Sequence, residues 1–258
     1  MKVLAIVGSP RKRGNTHRVV EQIRERLMEY NPEMDFEVLF LGECDLRMCI
    51  GCFACIAHGE DKCPLRDDRK AIEDRMTQAD GILYAAPTYA TGVPALMKNF
   101  IDRFAYTCHR PLFFDKVFLA VTTIGGVKGM KPTLGQLSVL CAGGRLAAKL
   151  GVAMPPIAMA GLQQKADRDI EKASAAFYRA LAKKEKKLPG LADWAWFHSF
   201  KALCGYPSYQ KACPADHRYY SQRPQYFYPL AGHPLRRLLG RAFGGIMRFS
   251  FGFLIKKD

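Results

Sequence analysis

No stretch of this 258-residue chain holds the roughly 18 uninterrupted apolar residues that a membrane-spanning helix requires. That excludes a helical span. The opening apolar run, MKVLAIV, is short and is cut off at once by Gly8, Ser9 and Pro10, so it does not read as a secretory leader. Internal repeats and low-complexity tracts are missing, which excludes solenoid and linker architectures. Two well-known phosphate signatures are missing as well: neither G-x-x-x-x-G-K-[ST] nor G-x-G-x-x-G occurs. Acidic residues are scarce: 24 Asp and Glu face 39 Lys and Arg, a net charge of +15. Such a surplus suits phosphorylated ligands, anionic membrane or nucleic acid, and by itself chooses none of them. Ten of those fifteen charges fall between Lys183 and Asp258. Cysteine is plentiful, but its number is odd, nine, and four crowd between Cys49 and Cys63. This excludes a simple disulfide framework and leads us to expect reduced thiols in a cytoplasmic protein.

What is present has a βα rhythm. Apolar runs at 2–8, 36–42, 81–87, 116–126 and, more weakly, 151–159 read as strands. Between them lie helical patterns: from Thr16 onward (Val19, Val20, Ile23, Leu27), 67–80, 94–104, 133–150 and 166–187. Strands alternating with helices predict a doubly wound, mostly parallel five-stranded α/β sheet covered on both faces. The rhythm stops at LPG, 188–190. We therefore expect an α/β domain over 1–188, with a cysteine-rich insertion at 43–66, and a basic, aromatic-rich extension over 189–258. That extension holds 15 of the chain's 29 aromatic residues, too many for a disordered tail.

The first loop, GSPRKRGNT at 8–16, leaves a strand at its carboxyl end and enters a helix at its amino end. Open backbone amides and the helix dipole favour an anion there, commonly phosphate. Ser9, Gly14, Asn15 and Thr16 supply donors and room, and Arg11, Lys12 and Arg13 supply charge. In a doubly wound sheet, ligands gather at the carboxyl ends of the strands. Two more loops emerge there: Pro87, Thr88, Tyr89, Ala90, Thr91 and Gly92, and the TTIGG run containing Thr123 and Gly125. A phosphate cradle beside a backbone-rich loop suited to a flat heterocycle describes a flavin mononucleotide (FMN) site. Redox chemistry would then be the cofactor's, with no side chain needed as catalytic acid or base.

The motifs GSPRKRGNT, ADGILYAAPTYATGVPALMKNFIDRF and KVFLAVTTIGG, in this order over roughly residues 1–160, resemble the flavodoxin-like NAD(P)H-dependent FMN reductases. The resemblance implies strand order 2-1-3-4-5 and FMN, with Ser9, Arg11, Asn15 and Thr16 on its phosphate and Pro87 to Gly92 along its ring. It also implies NAD(P)H as co-substrate and a homodimer or homotetramer that completes the flavin pocket. The expected function is electron transfer between NAD(P)H, or a redox partner, and a small-molecule or redox-protein acceptor.

Cys49, Cys52, Cys55 and Cys63 form a C-x2-C-x2-C-x7-C array whose soft thiolates suit an iron–sulfur cluster or zinc. The compact triplet plus one looks more like a [4Fe-4S] site than a two-half zinc site. It also resembles the motif of the iron–sulfur flavoproteins, a branch of the same fold. The array leaves three readings open: a cluster, zinc, or reduced thiols shaping a loop. Cys108, Cys141, Cys204 and Cys213 read as bystanders. His17 and His58 read as solvated.

In the final stretch, Leu235, Leu238, Leu239, Ala242, Ile246, Phe249 and Phe253 gather on one side of a helical wheel, with Arg237, Arg241 and Arg248 opposite. This predicts an amphipathic helix that docks on the protein, with peripheral membrane contact as the alternative. The aromatics interleaved with cations upstream superficially suit single-stranded nucleic acid, but no OB, RRM or KH pattern accompanies them, so nucleic acid is not expected. The rival to an enzyme is a non-catalytic electron-carrier or binding module whose basic tail docks a membrane surface or protein partner.

Overall fold

A computed structural model describes residues 1–126, 128–157, 159–183, 186–230 and 233–254. In chain order the elements are β1 (Lys2–Val7), α1 (Asn15–Tyr30), β2 (Asp35–Phe40), α2 (Ala54–Ala57), α3 (Arg69–Gln78), β3 (Gly81–Pro87), α4 (Ala95–Arg103), α5 (Tyr106–His109), β4 (Val117–Ile124), α6 (Met130–Leu137), β5 (Arg145–Ala153), α7 (Leu162–Lys183), α8 (Leu191–Leu203), α9 (Pro207–Ala212), α10 (Pro214–Ser221) and α11 (Pro234–Leu254). They fall into two compact units. The first comprises 1–49, 66–104 and 113–187; the second comprises 50–65, 105–112 and 188–258.

The first unit is a five-stranded, all-parallel sheet in the order β2-β1-β3-β4-β5. Its central strands are unbroken apolar runs because both faces are covered: every residue of β3 is buried, as are Val3 to Val7 of β1. On one face Val19, Val20, Ile23 and Leu27 of α1 pack with Ile170 and Phe177 of α7 against Val3, Ala5, Leu83 and Val121. On the other, Tyr84 lies 5.9 Å from the ring of Phe100 in α4 and 5.7 Å from Phe118 in β4.

One expected helix is partly a strand. The pattern over 133–150 predicts a helix followed by a weak strand at 151–159; instead α6 ends at Leu137 and β5 runs from Arg145 to Ala153. Between them Gly143, at φ 77°, turns the chain toward β5, and Gly144 follows where a Cβ would clash with the Phe118 ring. Pairing with β4 then overrides the helical preference of RLAAKL, and as an edge strand β5 keeps polar residues half-exposed.

The second unit is helical around an aromatic core. Trp194, Phe197, Tyr219, Tyr220, Tyr226, Phe227 and Tyr228 are all buried. Phe197 alone lies within 5.5 Å of Tyr220, Tyr226 and Phe227. These rings pack edge-on and tilted against one another and so form a core, not an open platform for bases. Asp216 of α10, fully buried, accepts bonds from Tyr209 Oη at 2.8 Å and His109 Nδ1 at 2.9 Å and pairs with Arg110. Arg110 donates onward to the carbonyls of Cys55 at 2.6 Å and Ile56 at 2.8 Å. The cysteine insertion is thereby tied to the extension's own helices.

Helix α11 docks by a face the wheel did not select. Among its described side chains Gly240 and Gly244 are the buried ones: a Cβ on Gly240 would come within 2.6 Å of the Trp194 ring, and one on Gly244 within 2.8 Å of His198. Glycine lets the helix approach α8 that closely. The leucine stripe is left outside, with Leu235, Leu238, Leu239, Ile246 and Phe249 each between 55% and 70% exposed. The side chains of Arg237 and Phe253 lie outside the described residues.

Candidate functional site

At the carboxyl edge of β1, β3 and β4 the three loops of the first unit meet around one cavity of about 150 Å3. The loop after β1 brings Ser9, Arg11, Gly14, Asn15 and Thr16 to it, β3 and its loop bring Pro87, Thr88 and Tyr89, and β4 brings Thr123, Ile124 and Gly125. This is where the strand order reverses between β1 and β3, the position at which such sheets bind ligands. Ala90, Thr91 and Gly92 shape the adjoining turn without lining the cavity.

The first loop is closed on itself. Ser9 Oγ lies 3.2 Å from both the amide and the carbonyl of Arg11, and the Gly14 amide donates to the Arg11 carbonyl at 3.1 Å. Gly8 donates to the Ala85 carbonyl at 2.8 Å and passes so near α4 that a Cβ would fall 2.6 Å from Met97 Cβ. Helix α1 then starts at Asn15 with no side-chain cap and no acid in its first turn, leaving its leading amides open. Lys12 pairs with Glu43, whereas Arg11 and Arg13 have no ion pair among the described residues. Asn15 accepts from Arg18 on its side-chain oxygen, so its amide nitrogen is free to donate. Cations and open amides without a counter-charge are what a phosphate needs.

The second loop is a tight turn held under strain. Tyr89 and Gly92 exchange amide–carbonyl bonds of 2.9 Å in both directions, which forces Ala90 to φ 46° and Thr91 to φ 65°. Neither residue has glycine's freedom there, and each such conformation costs on the order of 1–3 kcal/mol. Gln136 of α6 holds the turn by accepting from the Val93 amide at 2.9 Å. Beneath it, the Thr88 hydroxyl lies 2.9 Å from that of Thr122 and 3.0 Å from that of Thr133. Thr16 and Thr123 join the first and third loops through a 2.7 Å hydroxyl contact. Ile124, Thr133 and Gln136 were not singled out in the sequence. Ile124 sits inside the TTIGG run, but the other two lie in a helix and carry no local signal.

These residues fit FMN: an uncapped cationic loop for the phosphate, and a rigid turn displaying backbone for the ring. His17 lies 3.3 Å from Glu21, with its ring against Phe40, and does not line the cavity; His58 is exposed.

The four cysteines are arranged differently from the flavin edge. Cys49 closes a segment of the first unit, where its amide donates to Asn99 Oδ1 at 2.9 Å; Asn99 Nδ2 donates to the Leu46 carbonyl at 2.9 Å, and Arg103 to the Arg47 carbonyl at 2.7 Å. Arg103 also forms a two-pronged pair with buried Asp67. Burial pushes the Asp67 carboxyl up, but the bonds from Arg103 and from the Arg69 and Arg47 amides outweigh it and hold it below the usual range. Cys52, Cys55 and Cys63 belong to the second unit. The four thiols have the right chemistry for a cluster, but among the described residues no three His, Cys, Asp or Glu side chains converge as a metal site. Of the other cysteines, burial pushes Cys108 up to about 11 and Cys204 up to about 12, and raises Cys141 and Cys213, as expected of inert thiols.

Comparison with known proteins agrees with the geometry. The chain is 32% identical over 195 residues to an iron-sulfur flavoprotein of Clostridioides difficile, covering 73% of this chain and 82% of that protein. It is 41% identical over 103 residues to an iron-sulfur flavoprotein of Methanocaldococcus jannaschii, covering 40% of this chain and 51% of the relative. Among solved structures, a flavone reductase superposes with a TM-score of 0.56 at 16% identity, over 74% of this chain and 67% of that one, which supports the fold alone. The family model for NADPH-dependent FMN reductase matches residues 1–154. The chain therefore belongs to the NADPH-dependent FMN reductase family.

Proposed function

We propose that this protein binds FMN at the carboxyl edge of β1, β3 and β4 and passes electrons from NAD(P)H to a small acceptor or redox protein. The observation that carries this reading is the meeting, around one cavity, of the uncapped loop whose Arg11 has no ion pair among the described residues with Tyr89 at the head of the strained turn. FMN, when bound, supplies the hydride-accepting chemistry. The chain's own work is positional: Arg11 and the leading amides of α1 neutralise phosphate, and the Tyr89–Gly92 backbone orients the ring. Arg11→Ala is expected to weaken FMN binding about tenfold or more, since a bond to a charged group is worth about 1.5–3 kcal/mol. Flavin fluorescence titration checks this, and an unchanged affinity would remove Arg11 from the site.

A cavity of about 150 Å3 is small beside the roughly 300–1,000 Å3 of typical cofactor pockets. This supports a homodimer or homotetramer in which a second copy completes the wall beside exposed Tyr89. Nine free thiols suit a reducing cytoplasm. The donor chemistry of Cys49, Cys52, Cys55 and Cys63, together with the names of its relatives, supports a [4Fe-4S] cluster. Anaerobic purification should then give brown protein with about four irons per chain; one zinc, or no metal, refutes it.

One observation favours a membrane role beside catalysis. Among the described residues no helix is long and apolar enough to cross a membrane. The exposed stripe of α11 does suit the interface of an anionic bilayer, in a region carrying ten net positive charges. The full chain should sediment with phosphatidylglycerol-containing vesicles but not with phosphatidylcholine alone, and Leu239→Glu with Ile246→Glu should abolish it. If wild type ignores both vesicles while the variant splits an oligomer, the stripe is a contact between copies.

A further inference from the structure

A larger cavity, about 380 Å3, lies wholly within the second unit, walled by α8, α10, the turn at 221–225 and α11. Five nitrogen bases line it: His198 and Lys201 from α8, His217 from α10, and Arg241 and Arg248 from α11. Among the described residues no carboxylate does. Arg241 and Arg248 are exposed and have no ion pair among the described residues. Lys201 Nζ donates to the carbonyls of Tyr220 at 3.0 Å and Arg223 at 2.7 Å, so its position is fixed while its charge has no counter-ion there. His198 is 93% buried, and its Nε2 has no hydrogen-bond partner among the described residues. A buried, unsatisfied nitrogen beside a half-buried ammonium without a counter-ion, with two exposed guanidinium groups at the rim, is a setting that an anion would complete.

We propose that this cavity binds a small phosphorylated anion, a phosphomonoester or pyrophosphate group, with Arg241 and Arg248 closing on its oxygens and His198 and Lys201 forming the floor. Arginine forks and a fixed ammonium match phosphate geometry and charge. The α11 residues that line it, Gly240, Arg241, Gly244 and Arg248, lie on the side of the helix turned away from the Leu235, Leu239 and Ile246 stripe. A bilayer holding that stripe would not place a headgroup in the cavity, which points to a soluble ligand. Burial, Lys201 and Arg248 all disfavour charge on His198, and a bound anion would offset the two cations.

The test is calorimetric titration of the FMN-saturated full chain with inorganic pyrophosphate, which keeps the first loop occupied. We expect saturable one-site binding, weakened at least tenfold in Arg241→Ala with Arg248→Ala, at unchanged melting temperature and FMN affinity. The imidazole of His198, followed by NMR, should titrate at higher pH when pyrophosphate is present. Failure of wild type to saturate, equal binding by the double variant, or loss of binding in Arg11→Ala instead would overturn the assignment. Displacement of pyrophosphate by phosphatidylglycerol vesicles would make the ligand a lipid headgroup and end the soluble version. Should the protein take no FMN at all, comparing the Arg11 and Arg241/Arg248 variants still separates the two loci.

Discussion

Asp216→Ala is expected to destabilise the protein by about 3 kcal/mol, the low end of the cost of breaking a buried pair, because Arg110 keeps only the longer 3.4 Å contact with part-exposed Glu60. Arg110 is 4% exposed, and its guanidinium is oriented by Asp216 on one side and the carbonyls of Cys55 and Ile56 on the other. Removing the carboxylate also takes the acceptor from Tyr209 and from His109. Asp216→Asn, which keeps hydrogen-bonding capacity and loses only charge, should cost less. Urea unfolding of the full chain measures both, and a wild-type midpoint in the alanine variant would show that the network contributes nothing. Because Arg110 also grips the cysteine insertion, thiol labelling of Cys55 should quicken in the same variant. The carboxylate adds a pH dependence. Burial pushes Asp216 up, but bonds from His109 and Tyr209 and the Arg110 charge outweigh it and hold it below the usual carboxylate range. Its stabilising effect is therefore complete above about pH 4 and is lost as pH falls through the lowered native value.

The second large effect is acid weakening of the α8–α11 packing. Burial, with Lys201 and Arg248 nearby, pushes His198 down to about 4, whereas an unfolded histidine titrates near 6.5. Above pH 6.5 the ring is neutral in both states and contributes no pH dependence. Between 6.5 and 4 the unfolded chain takes up a proton that the native ring refuses, so stability falls by about 3 kcal/mol across that window. Below 4 both states are protonated and this contribution levels off. His198→Phe should flatten the slope between pH 6.5 and 4 in urea titrations. If the variant keeps the full wild-type slope, the titration belongs to another group. The same ring packs on Gly244, so α11 is the first element expected to loosen.

Much of the first unit was legible because its signals are local. Apolar runs at β1, β3 and β4 mark strands buried on both faces, and Val19, Val20, Ile23 and Leu27 mark the inner side of α1. The GSPRKRGNT loop announced itself through glycine, hydroxyls and cations between a strand and a helix. Legibility failed at β5, where RLAAKL has no strand character until β4 supplies hydrogen bonds. It failed again at Thr133 and Gln136, which support the Thr88–Gly92 loop from a helix more than forty residues away.

By itself the sequence determined the alternation of strands and helices, the anion loop, the excess of cationic charge and the presence of four closely spaced thiols. Each is written in neighbouring residues, where hydrophobic period and turn chemistry act over a few positions. Only the tertiary structure decided that the cysteine insertion joins the C-terminal helices through Arg110 and Asp216, and that α11 docks by two glycines with its leucines outward. Both outcomes depend on how closely two backbones approach and on which buried charge finds its partner. Those energies are set between residues distant along the chain, and no local pattern encodes them.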